Sequence, residues 1–429
     1  MEYPKFSVII PQKNRAEYLV YTLKTCMIQD YPNFEVIVSD DCSEDNSVEI
    51  VEELAAQDPR IKLFAHKTHL GMRDNFEFAL NQVKEGYVMA LGGDDGLMPG
   101  CIWRMYEILK ETGKELLTWA MAGFVYPDPE SVDGSNIIFT KRRKEVSVKI
   151  LKSEDFLNKI ATTFEYQIDE CPMFYMKGVA SMNLVNRVKS RTPDGCFYYC
   201  PTPDGFSGVV LAGEVEDYAY TNEPLSIVGN TKKSQGRNYY STEAKAKKEA
   251  EEFFNDNIRR TMHKELASQQ YSPLIPLMTA DYLLTARDLP GWPGKFKMFT
   301  FESLLDASFK HMAITPFQKE NLVRELKILR EIAIQHDLLD YYNKLLRTTK
   351  RKLSTKGDTK GLAITHSMRL DGSQYGIHNI YDASLAMKFI FEFSRKLGWG
   401  MVKEIISNSF QIFIGAKFRR TESFPSIDN

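Results

Sequence analysis

The sequence predicts an α/β protein in which a mostly parallel sheet is followed by a mainly α-helical C-terminal part. Three observations support this class. Short apolar runs alternate with helical stripes over about the first 100 residues, which favours a parallel sheet with right-handed crossovers. The segment Gly86–Pro99 joins one such run to two glycines and two carboxylates. From Ser241 onward the chain is rich in Ala, Lys and Glu, which are good helix formers.

The elements of the first part follow from this alternation. Helical stripes are predicted at 15–28, around Val48 to Leu54, and at 72–84. Asn14, with Glu17 three residues later, predicts the start of the first helix. The apolar runs that predict strands are 6–10, 34–38, 61–64 and 87–91.

The second part reads differently. Residues 100–230 are less regular, with helices predicted at 101–112 and 205–212. Helical patterns return at 242–270 and at 318–347. A loop rich in Pro, Gly and Trp, at 287–297, separates these two patterns. We therefore expect two domains, at 1–238 and 239–429.

The composition limits the kinds of partner and cellular location that we expect for this protein. The chain has 429 residues, 43% of them hydrophobic, and a formal net charge of −2, so nothing favours a nucleic-acid partner. Its six cysteines form no CxxC pair, which favours reduced thiols. We expect no signal peptide, since a strand begins at once, and no membrane-spanning helix, since no apolar run reaches about 18 residues. These features predict a cytoplasmic protein.

Polar residues follow the predicted strands where a parallel sheet would bring them to one edge. They are the segment Pro11–Arg15, the pair Asp40 and Asp41, the helix start at Arg73, and the pair Asp94 and Asp95. Open α/β sheets bind ligands at this edge. Carboxylate oxygens suit Mg²⁺ or Mn²⁺, while Arg and helix N-termini suit a diphosphate. The alternative for Asp94 and Asp95 is an ordinary acidic turn.

Taken together, these motifs resemble the GT-A glycosyltransferases of family 2, of the bacterial polysaccharide type. The resemblance is dense over about the first 100 residues and weaker to about 230. It lies in Phe6–Leu19, Gln29–Ser47, His69–Gly71 and Gly92–Pro99. It implies a GT-A, Rossmann-like domain and an inverting, metal-assisted transfer from a nucleotide sugar, most simply a UDP-sugar, to a hydroxyl of a glycan or lipid-linked acceptor.

The resemblance also implies roles for individual residues. Asp40 and Asp41 match acids that bind uracil and ribose, Arg73 matches a donor contact, and Asp94 matches the metal-binding acid of the DxD motif, with Asp95 beside it. The family often has Asp where this chain has Gly92. A divalent cation, Mn²⁺ or Mg²⁺, is expected on Asp94 and Asp95. The expected donor-binding residues are Pro11, Gln12, Asn14, Arg15, Asp40, Asp41, Arg73, Asp94 and Asp95.

An acid is also needed to deprotonate the acceptor hydroxyl. The family places one at a later helix start, and the best match is Asp204 within Cys200–Gly208. The structural alternative for Asp204 is a helix N-cap. Reserve candidates for the base are Glu216, Asp217, Asp169 and Glu170.

Two rival functions stay open from the sequence. A nucleotidyltransferase is disfavoured because Pro11–Arg15 lacks the glycines of a phosphate loop. A non-catalytic glycan-binding or assembly subunit is favoured only by Gly92. His66 and His69 are interpreted as incidental loop histidines.

Two further segments have alternative interpretations. The loop containing Lys232, Lys233 and Arg237 either closes over the diphosphate or links the domains. The segment 383–420 is aromatic, with seven basic and two acidic residues. It either lies on the inner face of the cell membrane as a peripheral contact, or packs on the helical domain or on a second copy in a homo-oligomer.

Overall fold

The computed structural model describes residues 3–127, 136–139, 146–233, 239, 251–256, 261–315, 317, 319–349 and 368–397. The strands are β1 (Phe6–Gln12), β2 (Phe34–Asp40), β3 (Ile61–Ala65), β4 (Tyr87–Ala90), β5 (Gly96–Leu97), β6 (Leu116–Trp119), β7 (Ala122–Val125), β8 (Asn136–Phe139), β9 (Val148–Lys152), β10 (Gly178–Ser181), β11 (Asp217–Thr221), β12 (Ser226–Asn230) and β13 (Met368–Asp371). The helices are α1 (Ala16–Met27), α2 (Ser47–Gln57), α3 (Met72–Asn81), α4 (Cys101–Thr112), α5 (Ser153–Thr163), α6 (Met182–Lys189), α7 (Asp204–Gly213), α8 (Ile275–Arg287), α9 (Phe301–Ile314), α10 (Lys319–Gln335), α11 (Leu339–Thr349) and α12 (Ile380–Leu397).

The strands form two sheets. The larger has the order β3-β2-β1-β4-β10-β6-β11-β9, and its first four strands run parallel. Strand β10 enters antiparallel to both of its neighbours. The second sheet has the order β13-β8-β7-β12-β5. Every residue of β1 and β2 is buried, as expected for strands covered by helices on both faces. The predicted α/β class is confirmed.

The start of the first helix was predicted wrongly. Asn14 does not cap α1, which begins at Ala16 after Arg15. Asn14 instead has a positive φ of 54°, and its side-chain oxygen accepts the Glu44 N–H at 2.7 Å. Asn tolerates this left-handed conformation better than most residues. Asn14 therefore turns the chain at the end of β1 and fastens it to the loop after β2.

The predicted helices of the second part are interrupted at positions where the sequence contains no helix-breaking signal. The pattern at 318–347 is two helices, α10 and α11, separated at Asp337, whose φ is 58°. The Leu338 N–H donates back to the Ala333 carbonyl at 2.7 Å and ends α10. In the predicted pattern at 242–270, residues 251–256 are helical, whereas residues 261–270 contain a 3₁₀ turn, Lys264–Leu266, and a bridge between Thr261 and Gln270. The remainder of that pattern lies outside the described residues.

The helical part packs directly on the first part. Helix α8 lies against α7, and α12 lies against α1 and the β5–β12 edge of the second sheet. The buried face of α12 joins the same hydrophobic core as β1 and α4 through Ile380, Ala383, Met387 and Ile390. The domain boundary after residue 238 stays a prediction. Of the segment 383–420, residues 398–420 lie outside the described residues.

All six cysteines are free thiols, as predicted. Among the described helices, none combines the length and apolarity needed to cross a bilayer.

The packing of α12 can be tested by truncating its buried side chains. Ile380→Ala and Met387→Ala should each lower the free energy of unfolding by about 2–5 kcal/mol, since each leaves a cavity in a fully buried position. Urea denaturation measures this loss. Phe389→Ala is the matched control, because Phe389 on the same helix is 38% exposed and should cost less. Equal losses at Met387 and Phe389 would contradict the packing described for α12.

Candidate active site

The polar residues predicted to share one edge of the sheet do meet there. In the β1–β2 ladder, Gln12 stands opposite Asp40, and Pro11 opposite Ser39. The Gln12 side-chain amide donates to Asp40 Oδ2, and the Ser43 N–H donates to Oδ1 at 2.9 Å. Asp40 is almost wholly buried. The last residue of β1, Gln12, is therefore hydrogen-bonded to Asp40, the last residue of β2.

Asp41 organises the loop that leads into α3. Its two carboxylate oxygens accept the N–H groups of Leu70 at 2.6 Å and Gly71 at 3.1 Å. His69 Nδ1 lies 2.9 Å from Asp41 Oδ2. His69, interpreted as incidental from the sequence, therefore contacts one of the predicted donor-binding acids. The signal that could have found it is its place in the His69–Gly71 motif of the family resemblance.

Arg73 lies at the start of α3 as predicted, with its guanidinium engaged inside the protein. It donates to Asp74 Oδ1 at 2.7 Å, to Asp194 Oδ2 at 3.4 Å, and to the Tyr198 carbonyl. Its side chain is nearly buried. Arg73 thereby fastens the 194–198 loop to α3, and its contact with a donor stays a prediction.

Asp95 is a buried tie between the two sheets. Its Oδ2 accepts the Gly92 N–H at 2.8 Å, and its Oδ1 accepts the Gly229 N–H of β12 at 2.9 Å. The Tyr175 hydroxyl also hydrogen-bonds to this carboxylate. Burial, and then the neighbouring charge of Asp94, raise the pKa of Asp95 to about 7. Both oxygens of Asp95 are thus satisfied by protein donors.

The Tyr175 hydroxyl lies where a side chain at position 92 would begin. A Cβ atom on Gly92 would lie 2.5 Å from the Tyr175 hydroxyl and 2.8 Å from Asp95 Oδ2. The chain around Tyr175 is held beside the end of β4, because Ala90 donates to the Phe174 carbonyl and accepts from Met176. Tyr175 was not predicted, since it belongs to an irregular segment without periodicity.

Asp94 faces the cationic side of the edge. The Thr231 hydroxyl donates to its Oδ2 at 3.0 Å. Burial raises its pKa, and the nearby charges of Arg15 and Lys233 oppose that rise. Arg15 in turn donates to the Lys233 carbonyl at 2.7 Å, and Lys233 Nζ donates to the Asn14 carbonyl at 2.8 Å.

These contacts bring the segment after β12 across the end of β1. Among the predicted loop residues, Lys233 therefore lies beside Arg15 at the edge, whereas Arg237 lies outside the described residues. Closure of this loop over a diphosphate stays a prediction.

The donor set at Asp94 suits a hard cation only in part. It offers a carboxylate and the Thr231 hydroxyl, which are oxygen ligands of the kind Mg²⁺ and Mn²⁺ prefer. In the described part of the chain, the one grouping of three potential ligands is His263, Glu265 and Asp288, whose carboxylates already pair with Lys264 and Arg287. A cation at Asp94 would need phosphate and water oxygens to complete its shell.

Asp204 is the first residue of α7, as predicted, and its side chain does not cap the helix. Its Oδ2 accepts the Tyr166 hydroxyl at 2.9 Å. Its Oδ1 is buried and has no hydrogen-bond partner among the described residues. An unsatisfied buried carboxylate oxygen is costly and therefore calls for a functional explanation. The N-cap alternative for Asp204 is wrong.

The charges of Asp204 and of the acidic pair all act on the Tyr175 phenol. The pKa of Tyr175 is raised well above its usual value by burial, then by the charges of Asp95 and Asp94, and also by Asp204. Two of the four reserve candidates form ion pairs elsewhere, Asp217 with Lys114 and Glu170 with Lys159.

A sheet edge with carboxylates and two cations, Arg15 and Lys233, is where open α/β sheets bind ligands, and its charges suit a diphosphate with a cation. Residues 7–161 match the family model described as Glycosyl transferase family 2. The match covers the N-terminal part of the chain, which contains the sheet edge described above.

Two curated relatives illustrate the range of the match. One is the GalNAc(5)-diNAcBac-PP-undecaprenol beta-1,3-glucosyltransferase of Campylobacter jejuni, 37% identical over 109 residues, or 25% of this chain and 35% of the relative. Another is the poly(ribitol-phosphate) beta-N-acetylglucosaminyltransferase TarS of Staphylococcus aureus, 27% identical over 216 residues, or 47% of this chain and 36% of the relative. The chain spans about a third of the length of each.

Among solved structures, the crystal structure of S. aureus TarS in complex with UDP-GlcNAc overlaps 82% of this chain and 93% of that chain, with a TM-score of 0.45 and 16% identity.

The Gly92–Tyr175 contact gives a test of local packing. Gly92→Ala should lower the melting temperature, because its Cβ would meet the Tyr175 hydroxyl at 2.5 Å. The double variant Gly92→Ala/Tyr175→Phe should recover part of that loss, since it removes the clashing oxygen. Thermal unfolding of the two variants and of Tyr175→Phe measures the coupling. Strictly additive losses would show that the two residues do not compete for this space.

Proposed function

We propose that this protein is an inverting glycosyltransferase that moves a sugar from a UDP-sugar to a hydroxyl of a glycan or lipid-linked acceptor. The observation that carries the proposal is the division among three acids. Both carboxylate oxygens of Asp95 accept hydrogen bonds from the protein. Asp94 lies near the cations Arg15 and Lys233. Asp204 has one buried oxygen with no hydrogen-bond partner among the described residues. A donor-binding acid and a separate base are what a single displacement requires.

The donor diphosphate is assigned to the Asp94 side of the edge. Arg15 and Lys233 supply positive charge there, which favours a diphosphate. Asp94 would hold the divalent cation, with Thr231 on its other side. When bound, that cation neutralises the charge that develops on the departing diphosphate. Asp95 would support Asp94 by fixing the turn in which both lie.

The nucleobase is assigned to the β2 end. Asp40 and Asp41 lie at its edge beside Gln12, and a carboxylate can accept the imide N–H of uracil. In the structure these carboxylates bind Gln12 and the loop at Leu70 and Gly71. Donor binding would exchange some of those bonds for contacts to the nucleoside, and the loop before α3 would move with Asp41.

Asp204 is the proposed general base. It accepts the proton of the acceptor hydroxyl while the hydroxyl oxygen forms a bond to the anomeric carbon. The bond from that carbon to the diphosphate oxygen breaks in the same step, and UDP leaves with the electron pair. One displacement at one carbon inverts its configuration.

The acceptor class rests on the relatives. The C. jejuni relative is named for an undecaprenol-linked glycan. An acceptor of that kind would bring this chain to the inner face of the membrane as a peripheral protein. The buried residues Ala383, Met387 and Ile390 already pack α12 on the core, so membrane contact by 383–420 would fall on its later residues. Self-association stays a prediction.

The rival functions are less well supported. The β1–α1 turn contains Gln12 to Arg15 and no glycine-rich phosphate loop, which disfavours a nucleotidyltransferase. A non-catalytic subunit was favoured by Gly92, yet Tyr175 fills the space beside that glycine and Asp94 remains.

Removing Asp94 should abolish transfer. After thermal-shift screening of nucleotide sugars with and without Mn²⁺ identifies the donor, Asp94→Ala should lower kcat/KM by about 10³-fold, the scale of a lost electrostatic contact to developing charge. It should also weaken metal-dependent UDP binding in calorimetry. Asp30→Ala, which removes an exposed acid, is the control. Undiminished turnover by Asp94→Ala would refute the metal assignment.

Changing Asp204 should separate binding from chemistry. Asp204→Asn should bind UDP as tightly as the parent, because the residue lies on the acceptor side, and should lose about 10²- to 10⁴-fold in kcat. Calorimetry with UDP and a sugar-release assay measure the two properties. Retention of both properties would place the base elsewhere in the chain.

A further inference from the structure

The surroundings of Asp204 are built from tyrosines of two different parts of the chain. Tyr166 follows α5 and donates its hydroxyl to Asp204 Oδ2 at 2.9 Å. Tyr282 lies on α8, in the helical part, and its ring meets the Tyr166 ring edge-on at 5.3 Å between centroids. Both tyrosines are fully buried. The base candidate is therefore held from outside the segment that matches the family.

A chain of hydrogen bonds runs through Tyr166. The Gln167 side-chain amide donates to the Tyr166 hydroxyl oxygen at 3.3 Å, and that hydroxyl donates to Asp204. A donor to the phenol oxygen polarises the O–H that faces the carboxylate. Asp204 Oδ2 is thus occupied, while Oδ1 keeps no partner among the described residues.

The start of α7 is shaped to admit these rings. A Cβ atom at Gly205 would lie 2.2 Å from Tyr282 Cε2 and 2.7 Å from Tyr166 Cδ2. The Thr202 and Tyr282 hydroxyls are 2.5 Å apart, which joins α8 to the turn before α7. Contacts on both sides of Asp204 therefore fix the turn that carries it, and its side chain has one hydrogen-bonded orientation.

We infer that Tyr166 is a positioning residue for the glycosyl transfer, which selects Asp204 Oδ1 as the oxygen that takes the acceptor proton, with Tyr282 of the helical part holding Tyr166 in place. The inference rests on the proposed function. By donating to one carboxylate oxygen, Tyr166 fixes the orientation of the Asp204 side chain and leaves the other oxygen for the acceptor hydroxyl.

The groups around Asp204 agree with this role. The titratable side chains on which its charge acts are Tyr166, Tyr175, Cys171 and Tyr282. Burial is the first cause that raises the pKa of each of these groups, so all four stay neutral at pH 7. A neutral hydrogen-bond donor is therefore what stabilises the Asp204 carboxylate from this side.

Tyr166→Phe tests the inference in the full-length enzyme. It should lower kcat about tenfold with the donor KM unchanged, because the ring still packs while the carboxylate loses its donor. The acid limb of the pH profile of kcat should move to higher pH, since the charged form of the base is less favoured. An unchanged acid limb would overturn the inference.

Two companions keep the test decisive. Tyr342→Phe removes another buried hydroxyl, which donates to the Leu326 carbonyl at 3.0 Å, and should leave the profile unchanged. Gln167→Ala changes an exposed residue, so it decides the matter if Tyr166→Phe fails to fold. It should shift the acid limb in the same direction by a smaller amount, and no shift would contradict the relay.

Failure of the positioning role of Tyr166 can be distinguished from failure of the proposed function. If Asp204→Asn loses transfer while Tyr166→Phe and Gln167→Ala keep the parent profile, Asp204 remains the base and only the positioning role fails. If Asp204→Asn keeps full activity, the base assignment fails and the positioning role falls with it.

Discussion

The buried carboxylate of Asp95 is the interaction on which the rest of the site depends. A charge in the interior is tolerated only with close hydrogen-bond donors, and Asp95 has them in the N–H groups of Gly92 and Gly229 and the Tyr175 hydroxyl. These bonds join the end of β4 to β12 of the other sheet. Because the oxygens of Asp95 are already hydrogen-bonded within the protein, its neighbour Asp94 is the acid that faces Arg15 and the segment after β12.

Much of this edge could be predicted from the sequence, for a physical reason. Strand and helix periodicities are local, and a parallel sheet brings the ends of its strands together without further information. The positions of Asp40 and Asp94 at strand ends follow from that rule, whereas Asp204 was found only through the resemblance to the family. Which of the two acids is bonded to protein donors and which faces the cationic side chains does not follow, because the answer depends on Gly229 and Tyr175, which are distant in sequence from Asp95.

The roles of the tyrosines and of the helical part could not be predicted from local sequence patterns. Tyr166 and Tyr175 belong to the irregular stretch between α5 and β10, which has no period to interpret. The helix break at Asp337 is likewise made by a residue with a positive φ rather than by Gly or Pro. The packing of α8 on α7 is a long-range contact, yet through Tyr282 it reaches the surroundings of Asp204. The helical part therefore contributes to the site that the first part defines.

The most direct test of the division between the two adjacent acids is anomalous diffraction from crystals of the protein soaked with UDP and Mn²⁺. We expect an Mn²⁺ peak beside the Asp94 carboxylate, with Asp95 still bonded to the amides of Gly92 and Gly229. A peak ligated by Asp95, with those bonds broken, would contradict it, as would an Mn²⁺ ion bound with UDP away from Asp94.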